Sequence, residues 1–315
     1  MPVQLVFAAC APGLEPVLAA ELSALGLSAR ATAGGVEASG EDAVARACVG
    51  SRVADAVALR LFSGPEEGVA TAIREARRTF GGHARLAVRR DAAAVTVSID
   101  AAGEPLYRRG WRARIGAAPL RESLAAGMLL LGGYDGGRPF LDPMCGSGTL
   151  AIEAAEIAAR RAPGRHRRFA FERWPGHDPD RTRAVRADLA RRERVPPAPI
   201  HASDRNAGAL RLAMKNAAAA GWDGLIRFER ADAARVAPPP GPGLLASNPP
   251  FGVRLSHDVP SSWRSLSELL ARLPGWTSVL LAPDRELDRL LPVRPGRIVR
   301  VRNGPLACRI LVRSE

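Results

Sequence analysis

The sequence predicts an α/β protein: a mostly parallel sheet with helices on both faces, preceded by a smaller α+β unit. Three observations predict it. From residue 139 onward, short apolar runs alternate with helix-period segments in a repeated strand–turn–helix pattern. Those runs are near-continuously apolar, as strands buried on both faces are. The first hundred residues lack this alternation and mix strands and helices. A length of 315 residues allows two domains, each able to bury a core.

The elements follow in order. "VQLVFAAC" (3–10) reads as a strand, and 13–27 has apolar positions at helical spacing. "GGVEAS" (34–39) is a short strand, 41–62 a helix running into a strand, and 66–80 a helix. "ARLAVRR" and "AAVTVSID" form a closing strand pair. Residues 101–118, with Gly103, Pro105, Gly110 and Gly116, read as a linker. A helix then starts with Pro119 suited to its first turn. "PFLDP", "PIHASD", "LIRFERAD", "GLLASNPP" and "TSVLLAP" are the successive strands of the second domain, with helices at 149–161, 206–221 and 261–273. The tail, 296–314, reads as two strands around an Asn303-Gly304-Pro305 turn. A stretch rich in Arg and Pro, 162–198, interrupts the alternation after the first helix.

Hydrophobic content of 47% with 24% charged residues excludes a wholly disordered chain. The formal charge is +13, and Lys215 is the only lysine. Codon bias explains arginine over lysine, but an excess of positive charge fits a polyanionic partner. The excess is localised: residues 105–121 hold five arginines and no acid, and 160–194 hold twelve arginines against five acids. Interspersed acids over 181–194 also suit a solvated helix face. Cys10, Cys48, Cys145 and Cys308 stand far apart without a C-x-x-C pair, so neither a zinc site nor a disulfide framework is expected, and no metal. The amino terminus lacks the charge and apolar run of a secretory signal, and no stretch reaches membrane-spanning length, so a cytoplasmic protein is expected.

The chemistry concentrates at strand ends. "LDPMCGSGTLAIEAA" (141–155) places Asp142 at a strand tip, then a turn with Gly146 and Gly148, then a helix. Glycines let backbone approach a ligand, and the helix supplies free N–H groups. An acid at the tip disfavours a pyrophosphate and suits a cationic ligand such as S-adenosyl-L-methionine, with its α-ammonium and sulfonium. Asp204 ends the next strand, where a carboxylate can accept both ribose hydroxyls of a nucleoside. Asp232 ends the third and could accept from an adenine amino group. Singly, each Asp also serves as a cap or turn former. The fourth tip is "SNPPF" (247–251). The Asn248 carbonyl and the carbonyls of Pro249 and Pro250 can hold both hydrogens of an exocyclic amine, and Phe251 can stack on the base. A structural turn is the alternative for this corner.

Together, "LDPMCGSGTLAIEAA" and "SNPPFGVRL" resemble the class I methyltransferases that act on RNA exocyclic amines. "LYRRGWRARIGAAPLRESLAA" (106–126), "RAPGRHRRFAFERWPGHD" (161–178) and "NGPLAC" (303–308) are similar to the bacterial enzymes that methylate guanine N2 in large-subunit ribosomal RNA. "FAACAPGLEPVLAAELSALGL" (7–27) resembles the opening of their THUMP-containing RNA-binding module. The resemblance implies a THUMP-like module over 1–104, a linker over 105–118, and a Rossmann-like class I methyltransferase domain over 119–315 with a basic insertion at 162–198. It implies an S-adenosyl-L-methionine site made by Asp142, Met144, Gly146, Ser147, Gly148, Thr149, Asp204, Arg205, Asp232, Ala233 and Asn248. It implies an acceptor site at Asn248, Pro249, Pro250 and Phe251, and RNA contacts from Arg108, Arg109, Arg112, Arg114, Arg167 and Arg168. The sequence departs from many relatives in having Phe251 for Tyr and a short stretch between 62 and 95. The partner implied is RNA, ribosomal or transfer. Adenine-N6 methylation, RNA binding without catalysis and methylation of a small molecule remain open as alternatives.

Overall fold

The computed structural model describes residues 3–81, 84–91, 94–112, 120–251, 259–282, 288–292 and 294–314. It divides the chain into two units, each built from two stretches: Met1–Arg108 with Ala162–Arg192, and Arg109–Arg161 with Glu193–Glu315.

The first unit begins βαββαβ: β1 (Gln4–Ala9), α1 (Glu15–Ala24), β2 (Ser28–Thr32), β3 (Gly35–Gly40), α2 (Ala43–Gly50) and β4 (Ala56–Gly64). The strands pair antiparallel in the order β2-β3-β1-β4, a ferredoxin-like arrangement. Alternate residues of β1 and β3, Val6, Ala8, Val36 and Ala38, are buried, as are Leu18 and Leu22 of α1 and Ala47 of α2. The sequence reading contains no counterpart of β2, because Ser28–Thr32 is a half-exposed edge strand without an apolar run. Beyond β4, α3 (Val69–Phe80), β5 (Leu86–Arg90) and β6 (Val95–Asp100) extend the sheet as β4-β6-β5. Val69, Val95 and Val97 bury there with Phe62 packed against them.

The chain continues through α4 (Glu122–Leu131), β7 (Phe140–Asp142), α5 (Thr149–Ala158), α6 (Pro179–Ala190), β8 (Ile200–Ser203), α7 (Ala207–Ala219), β9 (Ile226–Glu229), β10 (Leu244–Ser247), α8 (Val259–Ala271), β11 (Thr277–Ala282), β12 (Arg297–Asn303) and β13 (Leu306–Arg313). All of these except α6 build the second unit. Its sheet has the order β12-β13-β11-β10-β7-β8-β9. The strands from β11 to β9 are parallel, and β13 inserts antiparallel between β11 and β12. Every residue of β7, β10 and β11 is buried, which is why these strands read as continuous apolar runs. All ten residues of α5 are buried as well, because it packs both on the sheet and against α4. Strand order reverses between β7 and β10, the point where open parallel sheets form a crevice beyond their carboxyl ends.

Residues 162–192, expected as an insertion in the second domain, group with the first unit instead. The amide of Gly164 donates to the Val49 carbonyl (2.9 Å), and that of Phe171 donates to the Ala101 carbonyl (3.0 Å). Helix α6 packs on α2 through Thr182, Val185 and Leu189, and Arg181 pairs with Glu41 and Asp42 at 2.8 Å each. A single stripe of three buried residues along α6 reveals that the helix needs a groove but not which domain supplies it. The division between units falls at 108/109, inside the segment read as a linker. Pro119 and the rest of 113–119 lie outside the described residues.

Candidate active site

Parallel pairing brings the predicted tips to one edge of the second sheet. Asp142 is level with Ala202 of β8, Leu141 with Leu245 of β10, and Ser203 with Glu229 of β9. Asp204 and Asn248 therefore begin just past their strands, on either side of Asp142, with Asp232 three residues past β9.

Asp142 is almost fully buried, at 1% exposure. Its Oδ1 accepts from the Met144 amide (3.2 Å) and from the Ser247 hydroxyl (3.0 Å). Burial pushes its carboxyl up to about 7; those two donors pull it down, and the nearby Asp204 pushes it further up. Ser247 sits next to Asn248, so one hydrogen bond ties the first strand tip to the fourth. Sequence reasoning did not single out Ser247, whose partner lies 105 residues away.

The turn after Asp142 is pinned from three sides. The Cys145 amide donates to the Ser203 carbonyl (2.8 Å), and the Gly148 amide to the Cys145 carbonyl (2.8 Å). Asn216 of α7, fully buried, donates through Nδ2 to the Ser147 carbonyl (2.9 Å). Gly146 (φ 53°) and Gly148 (φ 83°) take left-handed conformations that other residues adopt only with strain. A Cβ on Gly146 would meet no atom within 4 Å, so the turn faces open space there. Thr149 opens α5 and accepts from Arg112 (3.1 Å).

Asp204 accepts from the amides of Gly146 (2.9 Å) and Asn206 (2.8 Å). Asp232 accepts from the Ala234 amide (3.0 Å), so it also starts a short helical turn, in which Ala233 is buried. Arg205 is exposed. Each acid thus does local backbone work, yet none of the three pairs with a basic side chain among the described residues. In a chain with 45 basic residues, three uncompensated carboxylates on one edge fit a cationic ligand.

At the fourth tip, the Oδ1 atom of Asn248 is buried and has no hydrogen-bond partner among the described residues. A buried, unsatisfied carbonyl is costly and calls for an explanation, which an incoming donor supplies. The Pro250 carbonyl is not free, contrary to expectation: the Trp263 indole of α8 donates to it (3.2 Å). That bond anchors the corner and leaves the Pro249 carbonyl as the proline candidate. Phe251 is half-buried, and 252–258 lie outside the described residues.

The expected RNA-contacting arginines fare differently. Arg109 is buried against Glu153 of α5 (3.2 Å), with side-chain exposures of 5% and 1%. Arg112 pairs with Glu122 (3.1 Å) and donates to the Leu120 carbonyl (2.9 Å). Both are interior ion pairs rather than phosphate contacts. Arg167 is spent on the carbonyls of Glu104, Pro105, Leu106 and Arg108. Arg108 is exposed and paired with Glu104 (3.0 Å). Arg168 is exposed with no partner among the described residues. Arg114 lies outside them.

Comparison with known proteins identifies the family and the fold. The profile of the RMKL-like methyltransferase domain matches residues 109–311, and that of the RlmL ferredoxin-like domain matches 6–58. A curated relative, the ribosomal RNA large subunit methyltransferase K/L of Methylococcus capsulatus, is 34% identical over 382 residues, covering 99% of this chain and 51% of the relative. The chain thus spans about half the length of that relative. Among solved structures, SMU.472 in complex with S-adenosylhomocysteine superposes with a TM-score of 0.85 at 23% identity, over 98% of this chain and 97% of that one. TrmN from Thermus thermophilus superposes with a TM-score of 0.70 at 24% identity, over 99% of both chains. The fold of the second unit is that of S-adenosylmethionine-dependent class I methyltransferases, and the first unit opens with a ferredoxin-like domain.

Proposed function

Because the chain belongs to the RMKL-like methyltransferase domain family, we propose that it is an S-adenosylmethionine-dependent RNA methyltransferase acting on the exocyclic N2 of a guanine in large-subunit ribosomal RNA. The observation that carries this reading is the buried Asn248 carbonyl, unpartnered among the described residues and tied through Ser247 to an edge of three carboxylates that have no basic partner among them.

Bound there, S-adenosylmethionine supplies an electrophilic methyl on a sulfonium. Asp142 would hold its α-ammonium, Asp204 its ribose hydroxyls and Asp232 its adenine amino group, with Met144, Ser147, Thr149, Arg205 and Ala233 lining the site. Asn248 Oδ1 and the Pro249 carbonyl accept the two hydrogens of the target amine and aim its lone pair at the methyl. Phe251 stacks on the base, which has to leave its helix or lie single-stranded to reach the corner. Orientation supplies most of the acceleration. A strong base is unnecessary, because the nitrogen becomes acidic only as its bond to carbon forms; the methyl–sulfur bond would break in the same step with S-adenosylhomocysteine as the leaving group, and the proton would pass to water from the nitrogen that the two carbonyls orient. The extension beyond β4, with Ala162–Arg192, we read as a reduced THUMP-like RNA-binding module, and the reaction as cytoplasmic.

Transfer of labelled methyl into total RNA from a strain lacking this gene, followed by nucleoside analysis, tests the reading. N2-methylguanosine in large-subunit ribosomal RNA is the expected product. N6-methyladenosine, label confined to transfer RNA, or no transfer together with no donor binding would each replace it with one of the alternatives. RNA affinity should fall steeply with salt; a salt-independent affinity would point to a small-molecule substrate.

A further inference from the structure

The first unit contains an open cleft of about 680 Å³ that the methyl-transfer reading does not use. Its size lies within the range of nucleotide-sized ligand sites. Phe80, at the end of α3, and Trp174, from the 162–192 stretch, line it together, packed edge-to-face at 5.2 Å. Arg85, Arg168 and Arg173 line it too. Arg168 and Arg173 are exposed and bond to no described residue; among the described residues Arg85 donates only to the neutral Gly103 carbonyl (3.2 Å).

The acids of the cleft are already engaged. Asp100 accepts the amides of Ala102 (3.0 Å) and Gly103 (3.1 Å). Glu104 pairs with Arg108 (3.0 Å) and Glu172 with Arg186 (2.6 Å). Once those counter-ions are included, the cleft carries a positive surplus. Part-exposed aromatic rings beside free guanidinium groups match a base with its flanking phosphates, the recurrent solution for single-stranded nucleic acid.

We propose that this cleft binds a nucleotide of single-stranded RNA, with Trp174 stacking on the base and Arg168 and Arg173 contacting phosphate. It is a docking site separate from the acceptor corner, and it rests on the reading of the substrate as RNA. The other four tryptophans, Trp111, Trp222, Trp263 and Trp276, are buried, so Trp174 is the ring that a solvent-side ligand can quench.

The test titrates the full chain with a single-stranded hexaribonucleotide and, separately, with adenosine 5′-monophosphate, following tryptophan emission at several salt concentrations. The hexanucleotide should quench, and Trp174→Phe should abolish the quench. In the double variant Arg168→Glu/Arg173→Glu, affinity should fall at least tenfold and the salt slope by about 1.4, the loss of two phosphate contacts on a single strand. Quenching by the mononucleotide alone assigns the cleft to a free nucleotide and overturns the proposal. An unaltered quench in Trp174→Phe, or unaltered affinity in the double variant, overturns it equally. Methyl transfer by the same protein preparations into total RNA from the strain lacking this gene separates the two readings. Quenching without transfer keeps the cleft and removes the catalytic assignment; normal transfer and RNA affinity in the double variant do the reverse.

Discussion

Truncating Asn248 to Ala removes the buried Oδ1 that has no partner among the described residues, the proposed acceptor of the target amine, and removes none of the three carboxylates. Transfer should be lost, with donor affinity kept within a few-fold by calorimetry; loss of donor binding would move Asn248 out of the acceptor role. Asp204→Ala should do the opposite first, weakening the donor by about tenfold or more as charge-assisted hydrogen bonds disappear. Asp142 adds a pH dependence whose sign is fixed by its burial. Its carboxyl titrates near 7 in the fold against about 3.9 in an unfolded chain. The ligand-free protein therefore favours the neutral acid, and its stability declines as pH rises from about 4 through 7. Asp142→Asn, equal in shape but uncharged, should lack that decline in thermal melts. A cationic ligand needs the carboxylate, so S-adenosylhomocysteine should bind roughly tenfold more tightly at pH 7.5 than at 5.5, and Asp142→Asn should flatten the profile. A flat profile in the unaltered chain would sink the assignment of Asp142 to the ammonium.

At the scale of elements, the sequence reveals strand tips better than it reveals the fate of arginines. An acid ending an apolar run, followed by a Gly turn and a helix, is local information, and register then places Asp142, Asp204, Asp232 and Asn248 on one edge without further input. Guanidinium groups choose their partners through tertiary structure. Arg109 finds Glu153, 44 residues on, and Trp263 reaches back 13 residues to the Pro250 carbonyl. No spacing rule foretells either. The consequence is measurable. Arg109→Ala leaves the Glu153 charge buried without its guanidinium and should cost about 3–5 kcal/mol in urea melts. It should leave the RNA affinity of the folded protein unchanged. Arg168→Ala should shift stability by no more than ~0.5 kcal/mol, as exposed substitutions do, while weakening RNA. The opposite pattern would restore Arg109 to the RNA surface.

For the whole molecule, the first unit is not a leading segment but two segments 53 residues apart in the chain, Met1–Arg108 and Ala162–Arg192. Six of the eight residues of α2 are buried, more than one sheet face can cover for a single helix; α6 supplies the rest of the cover. Without the second segment, that apolar surface meets water. Val49 and Ala101 also lose the backbone donors of Gly164 and Phe171, and each partner lost from a buried group costs about 1–3 kcal/mol. For a domain of this size such losses rival the entire folding free energy. A fragment ending at residue 108 should therefore give a collapsed or aggregating chain with poor amide dispersion in NMR spectra. The Arg108 carbonyl lies 3.1 Å from the Arg167 guanidinium, so the two segments can be rejoined locally. Linking 1–108 to 162–192 through about six Gly/Ser residues, a flexible span, should restore a dispersed spectrum and a cooperative melt. If the 1–108 fragment alone matches the rejoined protein in dispersion and melting temperature, the excursion is an appendage. The first unit would then end, as the sequence suggested, before the catalytic domain begins.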